Sequence, residues 1–285
     1  LKEDVHREHN WGEPIRRFRD QTQSFNLEDS HRFSEVLSLL GGIGYDQRKT
    51  LEAEDYNSKT KTVSDFQRDT NDALNGQLGL LYNTTATGRL HASIAHKSRF
   101  PTIKERYSYR LGTAIPNADL KTEEAIHYEI GYAERIGQNI FGEAALFYSD
   151  ISNLIQATTI SRTACTSPPC TQNQNVAKAS SAGLDLSLHG ELVRNLEFTA
   201  NYGYLDRRNR GDDGLYLTDS PHHKIFASLI WRATEGLALS SSVNGMSQRY
   251  SSSDGKQVAP GFAIANLKAA YQFGKGLLLE AGVYN

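Results

Sequence analysis

Residues 100–136 read FPTIKERYSYRLGTAIPNADLKTEEAIHYEIGYAERI. The first part is irregular, polar and aromatic, with prolines at 101 and 116. The last part alternates cleanly, with Ile126, Tyr128, Ile130 and Tyr132 on one face and His127, Glu129 and Gly131 on the other. A two-residue period marks a strand with one apolar face. About 25 irregular residues therefore sit beside one very regular strand.

The same arrangement recurs along the chain. Leu74, Leu78, Leu80 and Tyr82 alternate with polar or small residues. So do Leu90, Ala92 and Ile94; Ala144, Leu146 and Tyr148; Leu184, Leu186 and Leu188; and Phe198, Ala200, Tyr202 and Tyr204. Ile225 to Trp231, Leu237 to Val243, Ala265 to Tyr271 and Leu277 to Val283 continue the series. About thirteen strands are expected, many near the roughly 9–11 residues of a tilted membrane strand. Helical periodicity is nearly absent.

The connections alternate in length. NTTATG, RIGQN, HGELVRN, RATEG and FGKG are short. Between them lie long stretches at 48–71, 99–122, 157–172, 207–220 and 250–260. A soluble sandwich has no reason to gather every long loop at one end, whereas an outer-membrane barrel has tight periplasmic turns and long external loops. Tyr82, Tyr132, Tyr148, Tyr202, Tyr204, Tyr271 and Trp231 are expected at strand ends, as aromatic girdles. The fold class is all-β, an antiparallel transmembrane β-barrel. On this reading residues 100–122 form an external loop and the following strand descends through the membrane.

Composition is consistent with this. The 285 residues carry a formal charge of −2, which gives no electrostatic case for nucleic acid. Mean hydropathy is −0.53. No apolar run approaches the roughly 18 residues of a membrane helix, but a barrel's polar lumen side lowers its apparent hydrophobicity. The chain opens at LKEDVHREHN and stops within an alternating run, LLLEAGVYN, so it reads as a piece of a longer polypeptide. Cys165 and Cys170 enclose Pro168 and Pro169. A local disulfide in an oxidising compartment suits this spacing, with two free thiols as the alternative.

No catalytic constellation emerges. Asp219, Ser220, His222 and His223 lie together, but adjacent strand residues point to opposite faces. His6 and His9 also fall on opposite faces, so no shared metal is expected. The GGIG at 41–44 leads into a strand and is no phosphate loop.

The quoted stretch resembles the TonB-dependent outer-membrane receptors. The resemblance rests on Arg99, Phe100 and Pro101; Tyr107 and Tyr109; Asn117, Asp119, Leu120, Lys121 and Glu123; and Tyr128, Glu129, Ile130 and Gly131. Ala118 and Thr122 stand where that family usually has prolines, which should loosen the loop. AALFYSDISNLIQ, NVAKASSAGLDLSL, FAIANLKAAYQF and LLLEAGVYN resemble later family strands. On the family's 22-strand barrel the chain would be roughly the ninth to twenty-first strand, one barrel piece over 1–285 without the plug.

The resemblance implies a non-enzymatic receptor for energy-coupled uptake of a scarce metal chelate, a ferric siderophore by default. Its surroundings would be outer-membrane lipid and lipopolysaccharide, and it would act as a monomer. The TonB complex would engage it through the plug region. No resident cofactor or metal is implied. Cations and aromatics converging at the barrel mouth would hold an anionic chelate. The candidates are Arg99, Lys104, Arg106, Tyr107, Tyr109 and Arg110, with Arg207, Arg208 and Arg210 as a second cluster. Residues 100–120 contain no His, which disfavours haem. The other readings are a passive porin-like channel and a soluble β-rich binding module.

Overall fold

The computed structural model describes residues 1–9, 12–161, 165, 167–211, 214–274 and 276–285. Its first strands are β1 (Lys2–Glu8), β2 (Arg16–Arg32), β3 (Leu37–Asn57), β4 (Thr62–Asp65), β5 (Thr70–Asn83) and β6 (Arg89–Arg99). A short helix α1 (Ile103–Tyr107) and β7 (Ala114–Ile115) precede β8 (Glu123–Ile136), β9 (Ile140–Thr159), β10 (Thr171–Val193) and β11 (Leu196–Asn209). The chain continues with β12 (His223–Arg232), β13 (Leu237–Met246), β14 (Arg249–Tyr250), β15 (Val258–Ala259), β16 (Phe262–Phe273) and β17 (Leu277–Val283).

One sheet has the order β1-β2-β3-β5-β6-β8-β9-β10-β11-β12-β13-β16-β17. Of its fifteen strands, thirteen lie on this path, and β4 and β7 hang off it. Neighbours on the path are consecutive and antiparallel, so the chain runs up and down. This is the expected all-β antiparallel wall, with short turns at one end and long connections at the other.

Register assembles the alternating residues into two faces. Across the sheet, Leu80 pairs with Leu39 and Ala92. Ile94 pairs with Tyr128, and Tyr128 with Tyr148. Leu146 pairs with Leu184, and Leu184 with Tyr204. Ala227 pairs with Val243, and Val243 with Ala265. Directly opposed antiparallel residues share a face, so these side chains form one continuous apolar surface. Ile130, Leu146, Leu229 and Leu267 on it are exposed. A surface of this kind needs lipid. His127, Glu129, Ser149, Asp185, Asn201, Ser228 and Ser242 share the opposite, lumen-side face.

Two expectations change. The stretch at 48–71 is largely strand, because β3 runs on to Asn57 and β4 folds back along it. Tyr148, Tyr202 and Tyr204 lie mid-strand rather than at strand ends, because β9 continues to Thr159 and β11 to Asn209. β3, β9 and β10 are 21, 20 and 23 residues long. Each far exceeds the roughly 9–11 residues that span lipid, so the wall stands well above the membrane at the long-loop end.

The lipid-facing assignment has a direct test in the whole protein reconstituted in vesicles. Ile130→Arg places a cation mid-strand on the apolar face and is expected to cost about 2–4 kcal/mol. Urea unfolding measures the loss, and a change within about 0.5 kcal/mol, the range of an ordinary surface substitution, would show that this face does not meet lipid.

Candidate functional site

The irregular residues of the opening stretch form a folded strap across the lumen-side face, which corrects the simple external loop expected from the sequence. Its first element is α1. Thr102 and Glu105 make a capping box: the Thr102 hydroxyl accepts from the Glu105 amide at 3.2 Å, and the Glu105 carboxylate accepts from the Thr102 amide at 2.8 Å. After α1 the Asn117 amide donates to the Arg106 carbonyl at 2.8 Å. The Asn117 side chain then accepts from the Asp119 amide at 3.2 Å.

Ion pairs and aromatic rings fix one flank of the strap. Arg106 is 1% exposed and contacts the buried Asp20 of β2. Arg106 also donates to the Thr50 hydroxyl at 2.9 Å, and that hydroxyl donates to Asp20 at 3.0 Å. Arg48 reaches Asp20 at 3.0 Å and donates to the Pro101 carbonyl at 2.8 Å. Tyr107, 1% exposed, stacks on Phe18 at 5.5 Å with Phe66 at 5.0 Å. Ile103, Ala53 and Ala118 complete this cluster. Asp20 and Phe18 occupy alternate positions of β2 opposite in parity to the exposed Phe25 and Leu27, which places them on the lumen side.

Backbone and amide bonds fix the other flank. β7 pairs with Thr171 and Gln172 of β10. Asn117 donates to the Asn173 carbonyl, and Asn173 donates to the Glu105 carbonyl, both at 2.8 Å. Asn175 accepts from the Lys121 amide at 2.8 Å and donates to the Lys121 carbonyl at 3.0 Å. The strap thus spans from β2 and β3 to β10. These bonds, and the packing of Ala118, hold it without the two usual prolines.

The candidate residues now separate by role. Arg106 and Tyr107 anchor the strap. Arg99 holds it as well, through Glu105 at 2.9 Å and Glu123 at 3.2 Å. Tyr109 donates to Asp55 at 3.0 Å. Burial, then the neighbouring Asp55 carboxylate, push its phenol up to about 12. Lys104 and Arg110 are exposed on the strap. Arg207, Arg208 and Arg210 do not form one cluster. Arg208 pairs with Asp206 at 2.7 Å, and Arg210 lies over the Tyr148 ring at 6.0 Å, so both share the outward parity. Arg207 falls on the lumen side, where it donates to the Ser220 hydroxyl at 2.8 Å. Cys165 and Cys170 form a disulfide.

Arg110 and Arg207, distant in sequence, line one cavity of about 720 Å³ between the strap, the upper ends of β9 to β11 and residues 251–257. Its carboxylates are engaged. Glu105 holds Arg99, Asp254 accepts from Ser252 at 2.6 Å and lies 3.5 Å from Lys256, and Asp219 lies 3.7 Å from Arg249. Neither Arg110 nor Arg207 has an ion pair among the described residues. Sequence reasoning missed Asp20 and Thr50, since an inward Asp in a barrel strand is ordinary. The T-x-x-E signature at 102–105 could have revealed α1.

Two outcomes follow for the strap. Arg106→Leu leaves Asp20 buried without its closest cation, a loss of about 3–5 kcal/mol in the strap's docking. Hydrogen exchange over 100–120 should rise sharply, and Asp20→Asn added to it should recover part of the protection. Unchanged exchange in the single variant would refute the latch. Glu105 supplies a pH dependence. Burial acts to raise its carboxyl, but bonds from the Thr102 amide, Arg99 and the Thr102 hydroxyl outweigh it and hold it below the ordinary 4.5. A lowered carboxyl stabilises the fold above 4.5 and loses that contribution as pH falls through the lowered value. The stability difference between the native protein and Glu105→Gln should be full at pH 7 and shrink below pH 4.5, as measured by denaturant titration.

Comparison with known proteins agrees with this architecture. Residues 9–285 match the family model described as TonB dependent receptor-like, beta-barrel. No curated protein sequence matches the chain. Among solved structures, the copper transporter OprC superposes with a TM-score of 0.77 at 18% identity, over 95% of this chain and 44% of that one. The ferric yersiniabactin uptake receptor FyuA from Yersinia pestis gives 0.74 at 16% identity, over 95% and 41%. The ferric-catecholate import receptor Fiu from Escherichia coli K12 gives 0.71 at 18%, over 95% and 41%. The chain thus spans less than half the length of these structures. It belongs to the TonB-dependent receptors, an outer-membrane family, and forms part of their β-barrel rather than an enzyme.

Proposed function

We propose that this chain is the loop-bearing part of an outer-membrane receptor for TonB-dependent uptake of a scarce metal chelate, in the first instance a ferric siderophore. The observation that carries this reading is the cavity on the lumen side, bordered by the docked strap and lined by two guanidinium groups that have no carboxylate in ion-pair contact among the described residues. An anionic chelate entering from the long-loop end meets Lys104 on the exposed strap first. Arg110 and Arg207 then supply charge-assisted hydrogen bonds in a site partly withdrawn from water, where such bonds are strongest. Two of the structurally similar proteins are named for ferric chelates and one for copper, which supports a metal complex as cargo.

The strap also weighs against a passive porin-like channel. It crosses the lumen side and is fixed on both flanks, so it narrows the passage rather than lining it. Energy would come from the TonB complex acting on a plug region.

The test uses the full-length receptor in outer-membrane vesicles with a panel of ferric siderophores, cobalamin and haem. Saturable binding of one iron chelate is expected, weakened about tenfold or more by Arg207→Gln, the scale of losing a charged hydrogen bond. Non-saturable permeation by small solutes, with no bound chelate, would favour the passive channel.

A further inference from the structure

The lining of the cavity narrows the cargo, on the premise that the cargo is a metal chelate. No Phe, Tyr, Trp or His lines it among the described residues. Tyr216 and Tyr250 pack on each other at 4.3 Å, and neither is among the lining residues. What does line the cavity is oxygen- and amide-rich: Thr159, Thr218, Ser251 and Gln257 beside Arg110 and Arg207. The volume of about 720 Å³ falls among ordinary small-molecule sites.

These groups match some chelates better than others. A guanidinium presents a planar fork that two carboxylate oxygens fill together. Hydroxyls and amides exchange hydrogen bonds with further carboxylate and hydroxyl oxygens. A catecholate or haem complex presents flat rings instead, and rings gain most from aromatic faces and edges, which this cavity lacks. Among the described residues, the lining acids Glu105, Asp219 and Asp254 lie beside Arg99, Arg249 and Lys256, while Arg110 and Arg207 have no carboxylate in ion-pair contact.

From this lining we infer that the site takes a ferric complex with a carboxylate and hydroxyl surface, an α-hydroxycarboxylate chelate, in preference to a catecholate. Arg207 and Arg110 grip its carboxylates, and the hydroxyl side chains surround its remaining oxygens.

Equilibrium binding to the full-length receptor in vesicles tests this with three probes: ferric citrate, a ferric tris-catecholate and a ferric tris-hydroxamate. Ferric citrate should bind at least about tenfold more tightly than the other two. Arg207→Gln should weaken it about tenfold or more, and Arg207→Lys should restore only part, since an ammonium lacks the fork. Arg110→Gln, on the exposed strap, should weaken it as well without involving a wall strand. Arg68→Gln removes an equal charge outside the cavity and should change affinity less than about twofold, the scale of a surface charge. Tighter binding of the catecholate or hydroxamate, or indifference to both Arg207 and Arg110, overturns this inference and leaves the chelate reading standing. Saturable binding of none of the iron chelates overturns both.

Discussion

Lipid offers no hydrogen-bond partner to a peptide group, and the rest of this structure follows from that. Each strand on the main path must meet its neighbours' amides and carbonyls along its membrane length. Consecutive antiparallel strands do so with short turns, which fixes the up-and-down order from β1 to β17. Once register is set, the two-residue period sends Ile126, Tyr128 and Ile130 to lipid and His127 and Glu129 to the lumen. A slip of one residue would exchange those faces along a whole strand and move Glu129 into lipid. The alternation in the sequence and the pairing in the fold are therefore one constraint seen twice.

Among the described residues, no second large sheet or helix layer packs along the wall to bury its side chains; the only other sheet is the two-residue pairing of β14 with β15. Its buried residues gather instead where connections fold back at the long-loop end. Phe18, Ala53, Ile103 and Tyr107 form one such cluster, and Ile151, Leu154, Val176, Ala179 and Leu217 form another. Asp20 sits beside the first. A buried carboxylate is costly alone, and it is tolerated here because Arg106, Arg48 and Thr50 all converge on it. Removing Asp20 leaves all three without their shared partner. That gives the strap a definite seat rather than a range of positions.

The wall was legible in the sequence because period, loop rhythm and strand length are local properties of the chain. The thirteen-strand path and its apolar face follow from residues such as Leu184, Leu186 and Leu188 taken a few at a time. The strap was legible only as a motif. Its landing points, Asp20, Thr50 and Asn173, lie on distant strands and carry no local mark. Arg106 illustrates the difficulty. Sequence shows a cation among tyrosines and suggests a ligand contact, while the fold supplies a carboxylate 86 positions away that takes it up. The arginines after Tyr204 show the converse. Their crowding suggests one cluster, but strand parity sends Arg207 inward and Arg208 outward, and Arg210 lies over the outward Tyr148 ring.

The overshoot of the wall connects these points. Because β9 and β10 run past the membrane band, the upper cavity is walled by hydrogen-bonded strands and not only by loops. Arg207 projects from such a strand, and Arg110 comes from a strap pinned at both flanks. Side chains held on paired strands keep their geometry better than those on free loops, and a preordered pair of guanidinium groups loses less entropy on meeting a bidentate anion. Strand length beyond what lipid requires therefore gives the cavity ordered walls. The part of β9 and β10 outside the membrane does for the cavity what the part inside does for the barrel.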